Sequence, residues 1–491
     1  MSRRALVLAL GPDDHRRVPG RLRFRRALTV TAMTVLVPGS AHLALGRRRT
    51  GWAALGVWVV GVVALVVTAL VALRDRAGAI GFLADADTLL AVRLGIVVLA
   101  AAWLALFVDA WRLVHPGPLP GPRAALVVAV NLAIIAGVSG TAAYSSQVVG
   151  VSREVVTEVF TETETSEPLE GRYNILLIGA DSGAERFGIR PDSMTVVSLD
   201  ADTGSTVLVS LPRNLENVPF PEDSPMRDLY PFGFSCGDEC LLNAVHTAAE
   251  ERTDLYPGSD DPGLEATIDA VEGATDLTIN YYVMVNLSGF SSLVDAVGGV
   301  DMDIRSPIAM FGKEDLDQTQ FIEPGRQTLD GNEALWYARS RVQSDDYTRM
   351  GRQKCLLSAM LDQLSPQSVL LNATEIARSG RNLLSTDIPA TELGQFADLA
   401  LKSRGEPIST VSLVPPVVNT QAPDFDVIHQ LIADAIAGEG APATTATPTA
   451  PTGPTPTVPS LGSTATPDAQ EPTEDDLGEA ANNADDITSI C

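Results

Sequence analysis

Tyr173-Asn174-Ile175-Leu176-Leu177-Ile178-Gly179-Ala180-Asp181 is the stretch on which the reading of the fold turns. Four consecutive apolar residues, closed by a glycine, are too short for a helix and have the pattern of a central strand buried on both faces. Reading outward, residues 194–199 and 206–211 are two more strands, joined by the turn-rich Asp200-Ala201-Asp202-Thr203-Gly204-Ser205. Residues 281–287 form a fourth. Residues 290–297 read as a helix stopped by Gly298-Gly299, followed by a short strand near 300–304. Residues 329–341 and 347–364 have helical spacing, and 391–402, 410–414 and 425–437 read as helix, strand and helix. This order predicts the α/β class, with helices layered on both faces of a sheet in an α/β/α arrangement.

Upstream of that domain the composition changes. Residues 52–73, 89–108 and 124–144 are each apolar over about the twenty residues that ~30 Å of hydrocarbon requires. A fourth apolar stretch, 27–45, holds Pro38, Gly39, Ser40 and His42 and runs into Arg47-Arg48-Arg49. Crossing the bilayer there would place that triplet outside, against the positive-inside rule, so a re-entrant or interfacial segment is expected. Three full spans then put everything after about residue 145 on the outer side; an even number would reverse this. The expected organisation is a basic cytoplasmic segment (1–26), a multi-span transmembrane region (27–144), an acidic stalk (145–171), a globular domain (172–365) with its C-terminal part (366–437), and an acidic tail (438–491). Further spans follow the first apolar segment, so a cleaved signal peptide fits poorly.

Charge follows the same partition. The chain of 491 residues carries a formal net charge of −26, yet residues 1–26 hold eight arginines against Asp13 and Asp14. A basic end against an anionic inner leaflet and an acidic bulk elsewhere fit a protein anchored in a lipid bilayer. The acidic bulk excludes generic nucleic-acid binding, which depends on many cationic contacts to phosphates. From Gly438 onward the chain is Ala, Thr and Pro with nine acidic residues and no Lys or Arg, a composition expected to be disordered, with Cys491 as a possible tether. Four cysteines, Cys236, Cys240, Cys355 and Cys491, lie beyond the last span. In an oxidising compartment that even count reads as two disulfides with three pairings, of which Cys236 with Cys240, by proximity, and Cys355 with Cys491 are favoured.

Four segments place charged residues at the ends of apolar elements, where a sheet exposes its functional loops. They are Gly179-Ala180-Asp181, Arg190-Pro191-Asp192-Ser193, Pro212-Arg213-Asn214, and Tyr337-Ala338-Arg339-Ser340-Arg341 with Asp345, Asp346, Arg349, Arg352 and Gln353. Guanidinium groups suit the several oxygens of a pyrophosphate better than ammonium groups do. Arg339 and Arg341 diverge on a helix, so an extended or helix-end backbone is expected, whereas Arg349 and Gln353, four apart, share a helix face. Asp181 and Asp192 are hard oxygen ligands of the kind Mg²⁺ takes together with water and phosphate oxygens. The bland alternatives are surface pairing of Arg339 and Arg341 with Asp345 and Asp346, and a turn role for Asp181. Asp200 and Asp202 read as solvated turn residues and His246 as structural.

In order and number, with the supporting segments Gly289-Phe290 to Val300, Leu329-Asp330-Gly331 and Arg349-Met350-Gly351-Arg352-Gln353, these segments resemble the LytR-CpsA-Psr family over about residues 172–365. The resemblance implies a bacterial plasma-membrane protein with an extracytoplasmic domain that moves a phosphoglycan from a polyprenyl pyrophosphate carrier to a peptidoglycan hydroxyl, assisted by Mg²⁺. It implies that Asp181 and Asp192 hold the metal, that Arg190, Arg349, Arg352 and Gln353 bind substrate, and that Arg213, Arg339, Arg341 and Asp192 carry the catalysis. Two departures stand out: many members have Asp after the Pro-Arg pair, where this chain has Asn214, and many have a lysine two residues before an asparagine, where Leu241 and Leu242 precede Asn243. The rival readings are a polyprenyl pyrophosphate pyrophosphatase and a non-catalytic module binding lipid-linked glycans.

Overall fold

The computed structural model describes residues 20–75, 78–79, 81–82, 85–114, 121–159, 165–181, 190–237, 239–310, 320–342, 344–363, 384–404, 406–438, 482, 486–487 and 491. The chain divides into two compact units, residues 1–158 with 390–395 and residues 159–389 with 396–491.

The first unit contains α1 (Gly20–Leu36), α2 (Ser40–Ala44), α3 (Arg48–Arg74), α4 (Ala86–Val114) and α5 (Gly121–Val159). Among the described residues, three helices are long and apolar enough to cross a membrane, within α3, α4 and α5. Their leucines and valines are largely exposed, as lipid-facing side chains are. The interrupted apolar stretch does break, between Leu36 and Ser40, where the chain turns through Gly39 at φ 92°. A Cβ at Gly39 would meet the Gly51 carbonyl at 2.4 Å, so both the conformation and the close approach require glycine. Beyond the turn, buried His42 places Nε2 3.2 Å from Asp109 Oδ2, which Arg47 Nη1 also reaches at 3.1 Å. Helix α5 runs well past residue 144, so the first half of the segment read as a stalk is helix. A span already nucleated propagates through Val148, Val149, Val151, Val155 and Val156 despite their β-branching. Residues 160–164 of that segment lie outside the described residues.

The second unit is built on β1 (Arg172–Asp181), β2 (Arg190–Asp200), β3 (Thr206–Leu211), α6 (Pro225–Leu229), α7 (Val245–Glu250), α8 (Pro262–Thr275), β4 (Tyr281–Asn286) and α9 (Leu287–Val297). It continues through β5 (Val300–Ile304), β6 (Ile308–Ala309), β7 (Phe321–Ile322), β8 (Gly325–Leu329), α10 (Gly331–Arg339), α11 (Asp346–Gln363), β9 (Leu384–Thr386), α12 (Leu393–Ser403, in this unit from Phe396 on), β10 (Ile408–Ser412) and α13 (Phe425–Ala437). Six strands pair in the order β10-β3-β2-β1-β4-β9, with β10 parallel to β3, β1 parallel to β4, and the other pairs antiparallel. The central pair is therefore β2 with β1, the decisive stretch of the sequence.

Alternation along these strands divides the side chains between two layers. Leu176, Ile178, Met194, Val196, Val207 and Val209 pack with Ala266, Ala270 and Ala274 of α8 and with Ile428 and Ile432 of α13. On the opposite face Leu208 joins Val294 of α9, Ala334 and Tyr337 of α10, and Cys355, Leu356 and Met360 of α11. The chain thus has the layered α/β/α architecture expected. Truncating a fully buried residue such as Leu176 to Ala would cost about 2–5 kcal/mol.

Both disulfides form as favoured: Cys236 with Cys240 at a Cα separation of 5.2 Å, and Cys355 with Cys491 at 5.3 Å. The tail is not wholly the structureless segment its composition predicts. Residues 439–481 lie outside the described residues, but Asn482 and Ile487 are buried and Cys491 is bonded to α11. The apolar and amide groups of this short stretch find partners in the folded domain, which composition averaged over the whole tail conceals.

Candidate active site

Strand β2 begins four residues earlier than its apolar run. The β1–β2 register pairs Gly179 with Ser193 but Ala180 with Pro191, which leaves Asp192 as the extra residue of a β-bulge. A bulge re-aims one side chain at the end of a ladder, and bulges recur beside functional sites. Here it turns Asp192 into a cavity of about 1070 Å³ between the sheet and α9, α10 and α11. Glycine at position 179 permits the close pairing, since a Cβ there would lie 3.2 Å from that of Ser193.

Helix α10 is aligned by its first turn. Asp330 and Glu333 form a capping box, worth ~1 kcal/mol, and Gly331 packs so closely on the Ser291 carbonyl that a Cβ would lie 1.9 Å from it. The helix ends at Arg339, and Ser340 is extended, with φ −60° and ψ 132°. That helix-end backbone lets Arg339 and Arg341 both line the cavity although they stand two residues apart. The Arg339 guanidinium lies 4.9 Å from the ring centre of Trp336, which holds it over an aromatic face.

One carboxylate organises the arginines. Asp346, in the first turn of α11, accepts from Arg349 Nη2 at 3.0 Å, and its oxygens lie 3.5 Å from Arg213 Nε and 3.6 Å from Arg341 Nη1. Burial pushes the Asp346 carboxyl up, but the hydrogen bond from Arg349 and the charges of Arg349, Arg213 and Arg341 outweigh it and hold the group below the ordinary carboxylate range. Arg213 Nη1 also donates to Asp192 Oδ1 at 2.9 Å. Gln353 is held from both sides, donating to the Ala338 carbonyl at 3.0 Å and accepting from Ser193 Oγ at 3.2 Å.

The structure therefore brings Arg190, Asp192, Arg213, Arg339, Arg341, Arg349 and Gln353 to one cavity. Arg352 departs from the expectation. It is buried, does not line the cavity, and donates to the Ser340 carbonyl and to Ser344 Oγ, with its guanidinium 5.9 Å from the Tyr337 ring centre. One helical step from Arg349 and Gln353, its side chain points behind their face and braces the α10–α11 connection. The backbone of Asp181 pairs with Arg190 at the end of β1, while its side chain lies outside the described residues. Sequence reasoning missed the central position of Asp346, whose three-residue spacing to Arg349 was the available signal, noted Asn214 only as a departure from the family pattern, and missed Lys354 as a lining residue.

Beyond the charged mouth the lining is apolar: Leu177, Val283, Val285, Phe290, Leu293 and Leu357 among others. Five guanidinium groups face two carboxylates among the described lining residues, so the mouth carries excess positive charge. For Mg²⁺ the donor set is of the right kind. Asp192 supplies carboxylate oxygen, and the buried Asn214 Oδ1 has no hydrogen-bond partner among the described residues. No group of three or more His, Cys, Asp or Glu gathers as a metal cage among the described residues. An ion that takes most of its ligands from water and phosphate needs no such cage.

Residues 140–434 match the LytR_cpsA_psr family. The polyisoprenyl-teichoic acid–peptidoglycan teichoic acid transferase TagV of Bacillus subtilis (strain 168) is 35% identical over 99 residues, 19% of this chain and 25% of TagV. The match thus spans a quarter of that relative's length. The crystal structure of B. subtilis TagV is 25% identical, covering 54% of this chain and 96% of that one, with a TM-score of 0.39. That of B. subtilis TagT is 22% identical, covering 56% and 94%, with a TM-score of 0.37. With the family match extending over more than half of its length, the chain belongs to the LytR_cpsA_psr family.

Proposed function

We propose that this protein transfers a phosphoglycan from a polyprenyl pyrophosphate carrier to a peptidoglycan hydroxyl, on the outer side of a bacterial plasma membrane that its three long helices cross. The observation that carries this reading is the union, in one cavity, of an arginine-rich mouth and an apolar interior. A polyprenyl pyrophosphate has that division: oxygens at one end and a hydrocarbon chain at the other. The name of the TagV relative supports the same reaction class.

In the reaction, the wall hydroxyl attacks the phosphorus bonded to the glycan. The bond from that phosphorus to the bridging oxygen breaks, polyprenyl phosphate leaves, and a phosphodiester forms. Such transfers are accelerated mainly by positioning and by neutralising charge on the phosphoryl oxygens and leaving group. Arg213, Arg339, Arg341 and Arg349 supply fixed cations for that purpose, and Asp346 holds three of them in place before substrate arrives. Asp346 is surrounded by three guanidinium groups and is a poor proton acceptor. Asp192, whose carboxylate pairs with Arg213 among the described residues, is the other acid in the mouth. Mg²⁺, held by Asp192 and by Asp181 on the paired strand, would neutralise diphosphate charge when bound.

Incubation of the purified full chain with a polyprenyl pyrophosphate-linked glycan, with and without peptidoglycan, tests the proposal. Glycan appearing on peptidoglycan supports transfer. Glycan phosphate released at the same rate with or without peptidoglycan would mark a pyrophosphatase instead, and intact substrate in both arms a binding module.

A further inference from the structure

Residues that composition assigns to a disordered tail are built into the wall behind the cavity. Asn482 is buried, and its carbonyl oxygen accepts from Lys354 Nζ at 2.8 Å and from Ser412 Oγ at 2.8 Å. Its side-chain amide donates to the Tyr347 carbonyl at 3.1 Å. Ile487 is fully buried in the cluster that contains Leu356 of α11 and Ile408 of β10. Cys491 is bonded to Cys355, one residue beyond Lys354. Three anchors separated along the tail thus fall on or against α11, the helix that presents Arg349 and Gln353.

Lys354 shows why the contact matters. It is among the residues lining the cavity, yet its amine is buried and reaches Ser412 and Asn482. Burial lowers its pKa to about 7, so the charged form depends on the few acceptors it has. A buried ammonium deprived of its partner must lose its proton or move. Lys354 lines the cavity beside Gln353, so such a movement would disturb the site.

We infer that Asn482, Ile487 and Cys491 together strap the tail to α11 behind the site, and that Asn482 is a positioning residue. Its main-chain carbonyl holds Lys354 and its side-chain amide holds the Tyr347 carbonyl, and together these set the placement of α11 and hence of Arg349 and Gln353. The inference rests on the diphosphate reading only for its ligand; the strap itself is read from the packing.

The test uses the full chain in lipid nanodiscs, with both disulfides confirmed by intact mass, and the probe is geranylgeranyl pyrophosphate. In Asn482→Ala, backbone amides of α11 should exchange about tenfold faster with those of β1–β4 unchanged, and Kd for the probe should rise about tenfold. Asn482→Gln, which keeps a side-chain amide donor for the Tyr347 carbonyl and leaves the main-chain carbonyl at Lys354 in place, should recover both to within about threefold of wild type. A merely structural asparagine would lower the melting temperature without moving Kd for the probe. Wild-type exchange and Kd in Asn482→Ala would overturn the inference, and so would faster exchange with Kd unchanged. A wild-type chain that binds no prenyl pyrophosphate would count against the proposed function, while the exchange rates would still decide the strap.

Discussion

Asp346 and Arg349, three residues apart in the first turn of α11, form a two-pronged ion pair, with Nη2 to Oδ2 at 3.0 Å and Nε to Oδ1 at 3.2 Å. The same carboxylate faces Arg213, which follows β3, and Arg341, which follows α10. Three structural elements therefore meet at one acid, whose partners line the cavity mouth. A carboxylate in the first turn also complements the positive end of the helix dipole.

Asp346→Asn should slow transfer about a hundredfold, because the arginines lose their common anchor while their charges remain. The variant should also be less stable at neutral pH by about 1–3 kcal/mol, since three partly buried cations lose a counter-charge. The folded-state pKa of Asp346 is lowered, so its contribution is present above the ordinary carboxylate value and is lost as pH falls through the lowered one. Thermal melts from pH 7 downward should show wild type and variant converging in acid. A gap that widened as pH fell would contradict the assignment.

Leu293→Trp places a larger side chain in the apolar part of the cavity. It should weaken binding of geranylgeranyl pyrophosphate by about tenfold or more while leaving inorganic pyrophosphate affinity within about threefold, as overpacking acts only on the part of the ligand that occupies that space. Isothermal titration with both ligands makes the comparison. Equal losses would place the chain of the lipid elsewhere.

Asn214 follows Arg213 in the cavity lining, and its Oδ1 is buried without a described partner. Chelation of divalent ions should suppress transfer, and Asn214→Asp should lower the Mg²⁺ concentration for half-maximal rate several-fold, because a second carboxylate strengthens a hard-cation site. Rates measured against free Mg²⁺ in both proteins check this. Transfer unaffected by chelation would remove the metal from the account.

Much of this was legible in the chain. The apolar run ending at Gly179 gave a central strand, and the periodic segments from residue 281 onward gave the helices of one layer. What pattern reading missed had physical causes. Arg190 to Ser193 look like a loop because they are polar, but the bulge at Asp192 needs polar residues on a paired backbone. Arg352 was grouped with Arg349 by charge, and only the helix phase shows that it points behind the cavity. Asp346 was visible as a neighbour of the arginines, but its role comes from Arg213, which is 133 residues away in sequence and adjacent only once β3 and α11 pack. The docking of Asn482 and Ile487 depends on single residues that average composition hides.

Replacing Cys355 and Cys491 by serine opens the link that closes the longest loop in the unit, of sequence separation 136. Loss of such a cross-link costs about 2–5 kcal/mol, so the melting temperature of the full chain should drop by several degrees. Replacing Cys236 and Cys240, which close a loop of separation 4, should cost less. Differential scanning of the two variants side by side would show the order, and the reverse order would contradict it.

The central claim is that a prenyl diphosphate binds with its head among these arginines. The most direct measurement is the Kd of geranylgeranyl pyrophosphate, against geranylgeraniol as the uncharged control, for wild type and for Arg213→Ala and Arg339→Ala. Tight binding by wild type that falls about a hundredfold in each variant, with melting temperatures preserved and geranylgeraniol binding unchanged, is the predicted result. Equal Kd values for the diphosphate in all three proteins would contradict it.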